Sequence, residues 1–249
     1  MKTVLRQQKV SPIILATMLL ALPLYAYAKD TFTFKVQPTQ IDVPCALSNK
    51  KECGQMKVDL LNSGNTWAGH LINGKVSGYF ADPAEGLNKR AEQLSRENAE
   101  SIRQGGHPSE YQVTLTDMGV RGNVRQVQVT QYTYVERGEA LITNVLFDPI
   151  QQRVLTLNDV VIMEKLDELK SLLREQYVLN AQKLMDNDPS AVAAYIDDGS
   201  FFMTDNVRFT NKGLAFDYQV YDIASRAEGP QTLIVPYAEL EGIIDQSFL

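Results

Sequence analysis

Between Val207 and Val220 apolar and polar residues alternate on either side of Asn211-Lys212-Gly213. Leu214, Phe216, Tyr218 and Val220 fall on one face and Ala215, Asp217, Gln219 and Tyr221 on the other. A period of two is the mark of a strand, so the stretch predicts a hairpin, with Gly213 at positive φ after a type I turn. Gln231 to Val235 reads as a third short strand. Pro236 suits the first turn of a closing helix, where its missing N–H costs nothing, and Leu240, Ile243 and Ile244 give that helix an apolar stripe.

The same reading runs back along the chain. Phe32, Phe34 and Val36 alternate with polar residues in a strand expected to end near Pro38, and Gln55 to Leu61 makes a second. The following WAGHLINGKVSGYF, with Trp67 and His70, resists assignment because glycines interrupt its pattern. Asp82-Pro83 opens a helix expected to reach Gln104, with a sparse stripe of Leu87, Ala91, Leu94, Ala99 and Ile102 that keeps it on the surface. Gly105-Gly106 ends it, and His107 beside Pro108 reads as a loop residue. From Tyr111 to Leu157 four strands are expected, with breaks at Asp117-Met118-Gly119, Arg121-Gly122-Asn123, Arg137-Gly138 and Asp148-Pro149, folded as an antiparallel meander. Leu157-Asn158-Asp159 begins a helical region running to about Met185. Leu166, Leu169, Leu173, Tyr177 and Leu184 recur there at helical spacing, the strongest such stripe in the chain, and should cover the sheet. A short helix from Ser190 to Ile196 precedes the hairpin. The predicted class is α+β, an antiparallel β-sheet covered on one face by α-helices.

The first 28 residues change the compartment. Lys2, Arg6 and Lys9 precede an apolar run from Pro12 to Leu24 and then Ala26-Tyr27-Ala28, the three parts of a secretory signal, with cleavage expected after Ala28. The run is interrupted by Pro23 and is shorter than the roughly 20 apolar residues of a membrane-spanning helix, so no stable anchor is expected after cleavage. Residues 29–106 then form a variable N-terminal half and residues 107–249 a C-terminal domain, packed together as one unit. The whole chain has 24 Lys and Arg against 30 Asp and Glu, a net charge of −6. Losing the three basic residues of the leader makes it more acidic still, which argues against nucleic acid as a partner. Cys45 and Cys53, the two cysteines, fit an exported protein in which both are paired. The bridge would add roughly 2.5 kcal/mol by the chain-entropy estimate. Seven intervening residues suit a structural role better than redox chemistry, and without nearby histidines the pair cannot complete a zinc site.

Taken in order, a strand ending Tyr132-Thr133-Tyr134, a glycine turn, the run from Asp148 to Asp159, a long helix, and Gly213-Leu214, Tyr221, Ala224, Gly229-Pro230 and Pro236-Tyr237 form a familiar series. From Tyr111 to Ile244 the chain resembles the extracytoplasmic domain shared by RsiV-type anti-sigma factors and PdaC-type peptidoglycan deacetylases. The resemblance implies a periplasmic or secreted binding module. In RsiV-type proteins the domain binds lysozyme; in the deacetylases it accompanies a separate catalytic domain. It implies no catalytic residue here. One departure stands out: the turn that commonly reads Gly-Ala-His in the family is Gly138-Glu139-Ala140 here.

No hydrolytic or metal-binding constellation is apparent, and no cofactor is called for. Asp186-Asn187-Asp188 opens like a calcium loop, but Ala191 and Asp197 stand where glycine and glutamate are needed, so it reads as a helix breaker. Tyr132, Tyr134, Tyr218, Tyr221 and Tyr237 are candidates for an aromatic platform, though tyrosines at alternating strand positions are more often ordinary sheet residues. The polar loop from Asp222 to Pro230 is the favoured contact region, which makes Tyr221, Arg226 and Glu228 the candidate binding residues. The expected ligand is a basic, lysozyme-like muramidase or peptidoglycan itself. The alternatives are a wall hydrolase using two carboxylates roughly 5–9 Å apart and a structural subunit of an envelope complex.

Overall fold

The computed structural model describes residues 32–45, 52–62, 66–134, 138–197 and 201–249. The expected leader and its cut after Ala28 lie outside these residues. The fold is α+β, and its larger sheet runs β1 (Val36–Pro44), β2 (Glu52–Leu61), β3 (Glu110–Arg121), β4 (Val124–Tyr134), β5 (Glu139–Asp148) and β6 (Arg153–Leu155) in sequence order. The expected meander from β3 to β6 is antiparallel throughout. β2 and β3 pair in parallel, because their connection crosses the sheet through α1 (Trp67–Ser77) and α2 (Pro83–Arg103).

Two sequence expectations are corrected in this half, and one unassigned stretch takes shape. The first strand is displaced: Phe32 and Phe34 precede it, and β1 begins at Val36 and runs through Pro38 to Pro44, since it is an edge strand where a missing N–H can face outward. Asp117-Met118-Gly119 does not end a strand. It is a β-bulge: the register shifts between Asp117 and Gly119, Gly119 takes φ 88°, and the Asp117 carboxylate accepts its N–H at 2.9 Å. The unassigned glycine-rich stretch is α1, begun by Thr66, whose hydroxyl accepts from Gly69 N, and ended by Gly78 in the left-handed conformation. Its interior Gly74 lies against Phe80, where a β-carbon would collide with the ring. That contact offsets the roughly 1 kcal/mol a glycine costs a helix.

α2 spans nearly the expected residues, capped by Asp82 with Pro83 in the first turn. Its buried Asn98 ties the helix to the sheet, donating to Cys53 O at 2.7 Å and Ser109 O at 3.1 Å and accepting from Ser109 N at 2.7 Å. Cys45 and Cys53 are bridged, with Cα atoms 4.6 Å apart.

A second, antiparallel sheet contains β7 (Val207–Phe209), β8 (Gly213–Tyr218) and β9 (Gln231–Pro236). The predicted hairpin is present, but Gly213 is required for a different reason. Its φ is not positive; a β-carbon there would run into the carbonyl of Val235 on β9. The helix expected from Leu157 onward is also interrupted. α3 (Leu157–Val160) ends where the β-branched run Val160-Val161-Ile162 leaves helical geometry, and Val161 forms a β-bridge with Ile244. After a 3₁₀ turn, α4 (Leu166–Leu184) lays Leu169, Leu173, Tyr177 and Ala181 against the smaller sheet rather than the larger one. α5 (Pro189–Asp197) follows, its first N–H groups held by Asp188. The expected closing helix is a 3₁₀ turn over Tyr237–Glu239 with Pro236 as its cap, and Leu240, Ile243 and Ile244 are buried all the same.

Strand alternation explains how the parts stack. On β5, Val145 and Phe147 join a core roofed by α1 and α2, whereas Leu146 joins the core of the smaller sheet. On β4, Val127 and Val129 face the helices, while Gln126 on the other side accepts from Phe209 N at 2.6 Å. The larger sheet thus carries two helices on one face and the β7–β9 sheet against part of the other. Within the division of the chain by contacts, Thr31–Leu249 forms one unit.

Candidate functional site

On β4 the helix-facing positions read Val127, Val129, Gln131, Thr133, an apolar pair followed by a polar pair. The change marks where the helical roof ends. Beyond it opens a cleft of about 450 Å³ whose floor is Tyr111 of β3, Gln131 and Thr133 of β4 and Leu141 of β5. Tyr111 pairs in register with Thr133, and Leu141 with Gln131, so the four side chains form one cross-strand patch. One wall is the end of α1, from Val76 to Gly78, with Arg90 of α2 beside it; the other is the segment from Gln219 to Tyr221 after β8. The size suits a small-molecule or short-oligomer ligand.

The Gln219–Tyr221 wall is held by side-chain chemistry. Gln219 treats β5 as a neighbouring strand would: its Oε1 accepts from Ile142 N at 2.9 Å and its Nε2 donates to Ile142 O at 2.6 Å. Asn206 does the same one step along, accepting from Asn144 N at 2.7 Å and donating to Ile142 O at 2.8 Å. Asp222 accepts from Gln219 N at 2.7 Å and donates its own N–H to Gln219 O, closing a turn around Val220 and Tyr221. Tyr221 is left at φ 72° with 63% of its surface exposed. A left-handed backbone is uncommon for an aromatic residue.

Beneath these groups lies Asp217, whose side chain is 5% exposed. It accepts from Arg208 through two nitrogens, at 2.7 and 3.2 Å, from Asn144 Nδ2 at 2.7 Å and from Thr232 Oγ1 at 2.6 Å. The network joins β5 to all three strands of the smaller sheet and fixes the wall relative to the floor. Arg90 places its guanidinium 4.8 Å from the centre of the Tyr111 ring. Burial pushes the Tyr111 phenol up, with Arg90 partly opposing the shift.

Of the residues expected to bind, Tyr221 lines the cleft; Arg226 and Glu228 do not. They stand farther along the loop, where Glu228 accepts from the Ser225 hydroxyl and Gly229 N donates to Arg226 O. The tyrosines do not form one platform. Tyr132 and Tyr134 stack on each other at 6.4 Å on the opposite face of β4. Tyr218 is buried and donates to Phe202 O, its phenol pushed up by burial. Tyr237 lies under Arg121 and donates to Thr210 O. Asp186 and Asn187 take positive φ where α4 ends, as expected of a breaker. Among the described residues no cluster of three or more His, Cys, Asp or Glu could hold a metal. Nor is any described helix long and apolar enough to cross a membrane.

Missing from the sequence reading were Arg90, Tyr111, Gln131, Thr133, Leu141 and Gln219. The polar pair after Val129 was a readable signal for the floor. No local pattern shows that α2 brings Arg90 beside Tyr111.

This pairing of a helix-roofed sheet with a smaller three-stranded sheet is a known fold. A DUF3298 family protein from Bacteroides fragilis NCTC 9343 matches with a TM-score of 0.65 and 19% identity, covering 88% of this chain and 96% of its own. A DUF3298 family protein from Pseudomonas aeruginosa PAO1 matches with a TM-score of 0.62 and 16% identity, covering 88% and 97%. The sequence agrees over part of its length: residues 156–238 match the family described as "Protein of unknown function (DUF3298)". No curated protein matches. The cleft crosses the border of the matched stretch, taking Gln219, Val220 and Tyr221 from within it and its remaining lining from before it.

Proposed function

We propose that this protein is exported, loses residues 1–28, and acts at the cell envelope as a binding module that seats a peptidoglycan fragment in the cleft between the helical roof and Tyr221. The observation that carries this reading is the lining. Gln131 and Thr133 offer neutral hydrogen-bonding groups, Tyr221 and Leu141 offer exposed faces, and Arg90 supplies a positive charge. Planar amides and hydroxyls beside an aromatic ring suit a sugar with its acetamido groups, and a guanidinium suits the carboxylates of the attached peptide. None of the described lining residues is Asp or Glu, which favours recognition over a hydrolase built on paired carboxylates. The resemblance of the Tyr111–Ile244 stretch to domains of wall-associated proteins, and the disulfide, support placement outside the cytoplasm.

The acidic balance of the chain favours a second reading, in which the partner is a basic lysozyme-like muramidase drawn in by the long-range field. Calorimetric titration of residues 29–249 with a disaccharide-tetrapeptide muropeptide and with a c-type lysozyme, each at low and physiological salt, separates the two. The proposal expects saturable heat with the muropeptide. Heat with lysozyme alone, weakening as salt rises, would replace it with the second reading. No heat with either at tens of micromolar would overturn both.

A further inference from the structure

The floor of the cleft is more selective than a generic sugar site. Arg90 reaches it from α2 with its side chain 25% exposed, over the Tyr111 ring. It forms a long ion pair with Glu97, 3.8 Å away and beyond hydrogen-bond distance, and Glu97 also accepts from the amide of Gln93 at 2.7 Å. The guanidinium lies against the Tyr111 ring, and its one carboxylate neighbour among the described residues stands at ion-pair rather than hydrogen-bond distance.

The groups around it are also open. The side chains of Gln131 and Thr133 make no hydrogen bond among the described residues, in contrast to Gln219, whose amide is committed to Ile142. Thr133 is the cross-strand neighbour of Tyr111, so a hydroxyl sits beside the ring that carries the arginine. One cation beside a ring and two neutral side chains without a hydrogen bond among the described residues therefore face the same volume, in a chain whose overall charge repels anions. Whatever anion enters must be bound by local geometry, because the long-range field opposes it. The planar fork of arginine matches a carboxylate in two-point contact.

We infer that the cleft contains a carboxylate-selective subsite formed by Arg90, Gln131 and Thr133, which reads the free acid of a peptidoglycan stem peptide. Arg90 and its neighbours bind the acid, and Tyr111 positions the guanidinium. The inference rests on the proposed peptidoglycan reading and narrows it from the glycan to a charged group of its peptide.

The test compares a muramyl dipeptide carrying its free carboxylate with the methyl ester of the same compound, titrated into the wild type and into the Arg90→Gln, Arg90→Lys and Gln131→Ala variants. Thermal unfolding verifies that each variant folds. The wild type should prefer the acid over the ester by roughly ten- to a hundredfold, as expected when a hydrogen bond to a charged group is lost. Arg90→Gln should erase that preference, and Arg90→Lys should keep part of it. Gln131→Ala reports on the same subsite with the arginine intact and should reduce the preference. Equal binding of acid and ester by the wild type, or an unchanged preference in Arg90→Gln, would overturn the subsite and leave the peptidoglycan reading standing. Failure of the wild type to bind either compound, or the disaccharide-tetrapeptide, would remove the reading and the subsite with it.

Discussion

Tyr221 holds a backbone conformation that costs a residue with a β-carbon roughly 1–2 kcal/mol, and it does so with its ring largely in solvent. Strain of this kind persists where the surroundings enforce it, here through Asp222 and the Gln219–Ile142 pair. Replacing Tyr221 by glycine should leave the urea midpoint unchanged or raise stability by up to about 1 kcal/mol, while weakening ligand binding. A fall in stability would show that the ring is a packing residue. Asp217 behaves oppositely. Asp217→Ala leaves the half-buried Arg208 without its partner and removes the acceptor of Asn144 and Thr232, and should cost roughly 3 kcal/mol in urea unfolding. Gly213→Ala should also be strongly destabilising, because the obstacle is the Val235 backbone. A near-neutral result would mean that β9 can move away. At this scale the sequence could suggest that Gly213 mattered, but not why: the turn pattern pointed to φ, and the constraint comes from a strand more than twenty residues later.

Elements were legible where one period dominated. The strands from Glu110 to Asp148 and the stripe on α4 announce themselves, since half-buried strands and helices impose periods of 2 and 3.6 on the chain. α1 was hidden because its interior Gly74 answers to close packing on Phe80, a contact outside the helix. The break between α3 and α4 was hidden because it depends on Val161 pairing with Ile244. α3 itself begins with a reciprocal cap, in which Asp159 accepts from Thr156 N at 2.7 Å and from its hydroxyl at 2.9 Å, and from Arg153 at 2.8 Å. The Thr156 backbone bond chiefly, then its hydroxyl and Arg153, hold the Asp159 carboxyl below its ordinary range. A lowered pKa adds stability above the unfolded value and loses it as the pH falls through the folded one. Asp159→Asn should therefore lower the urea midpoint by a constant amount above about pH 5. The difference from wild type should shrink in more acidic solution, and a difference independent of pH would show that the cap does not act through charge.

At the scale of the molecule, the class of fold could be read from the chain, but the cleft could not. Its floor comes from three strands, its walls from the end of α1, from Arg90 inside α2 and from a segment well over a hundred residues away. Only Tyr221 among the expected binding residues reaches it, because a polar loop shows where contacts are possible and not which way the sheet edge turns. Placing the ligand is the most direct test of the account. In an amide and methyl NMR titration with the disaccharide-tetrapeptide muropeptide, the largest shift changes should fall on Ser77, Gly78, Gln131, Thr133, Leu141 and Tyr221. Changes confined to the loop around Arg226 and Glu228, or to the Tyr132 and Tyr134 face of β4, would contradict it and move the binding site elsewhere.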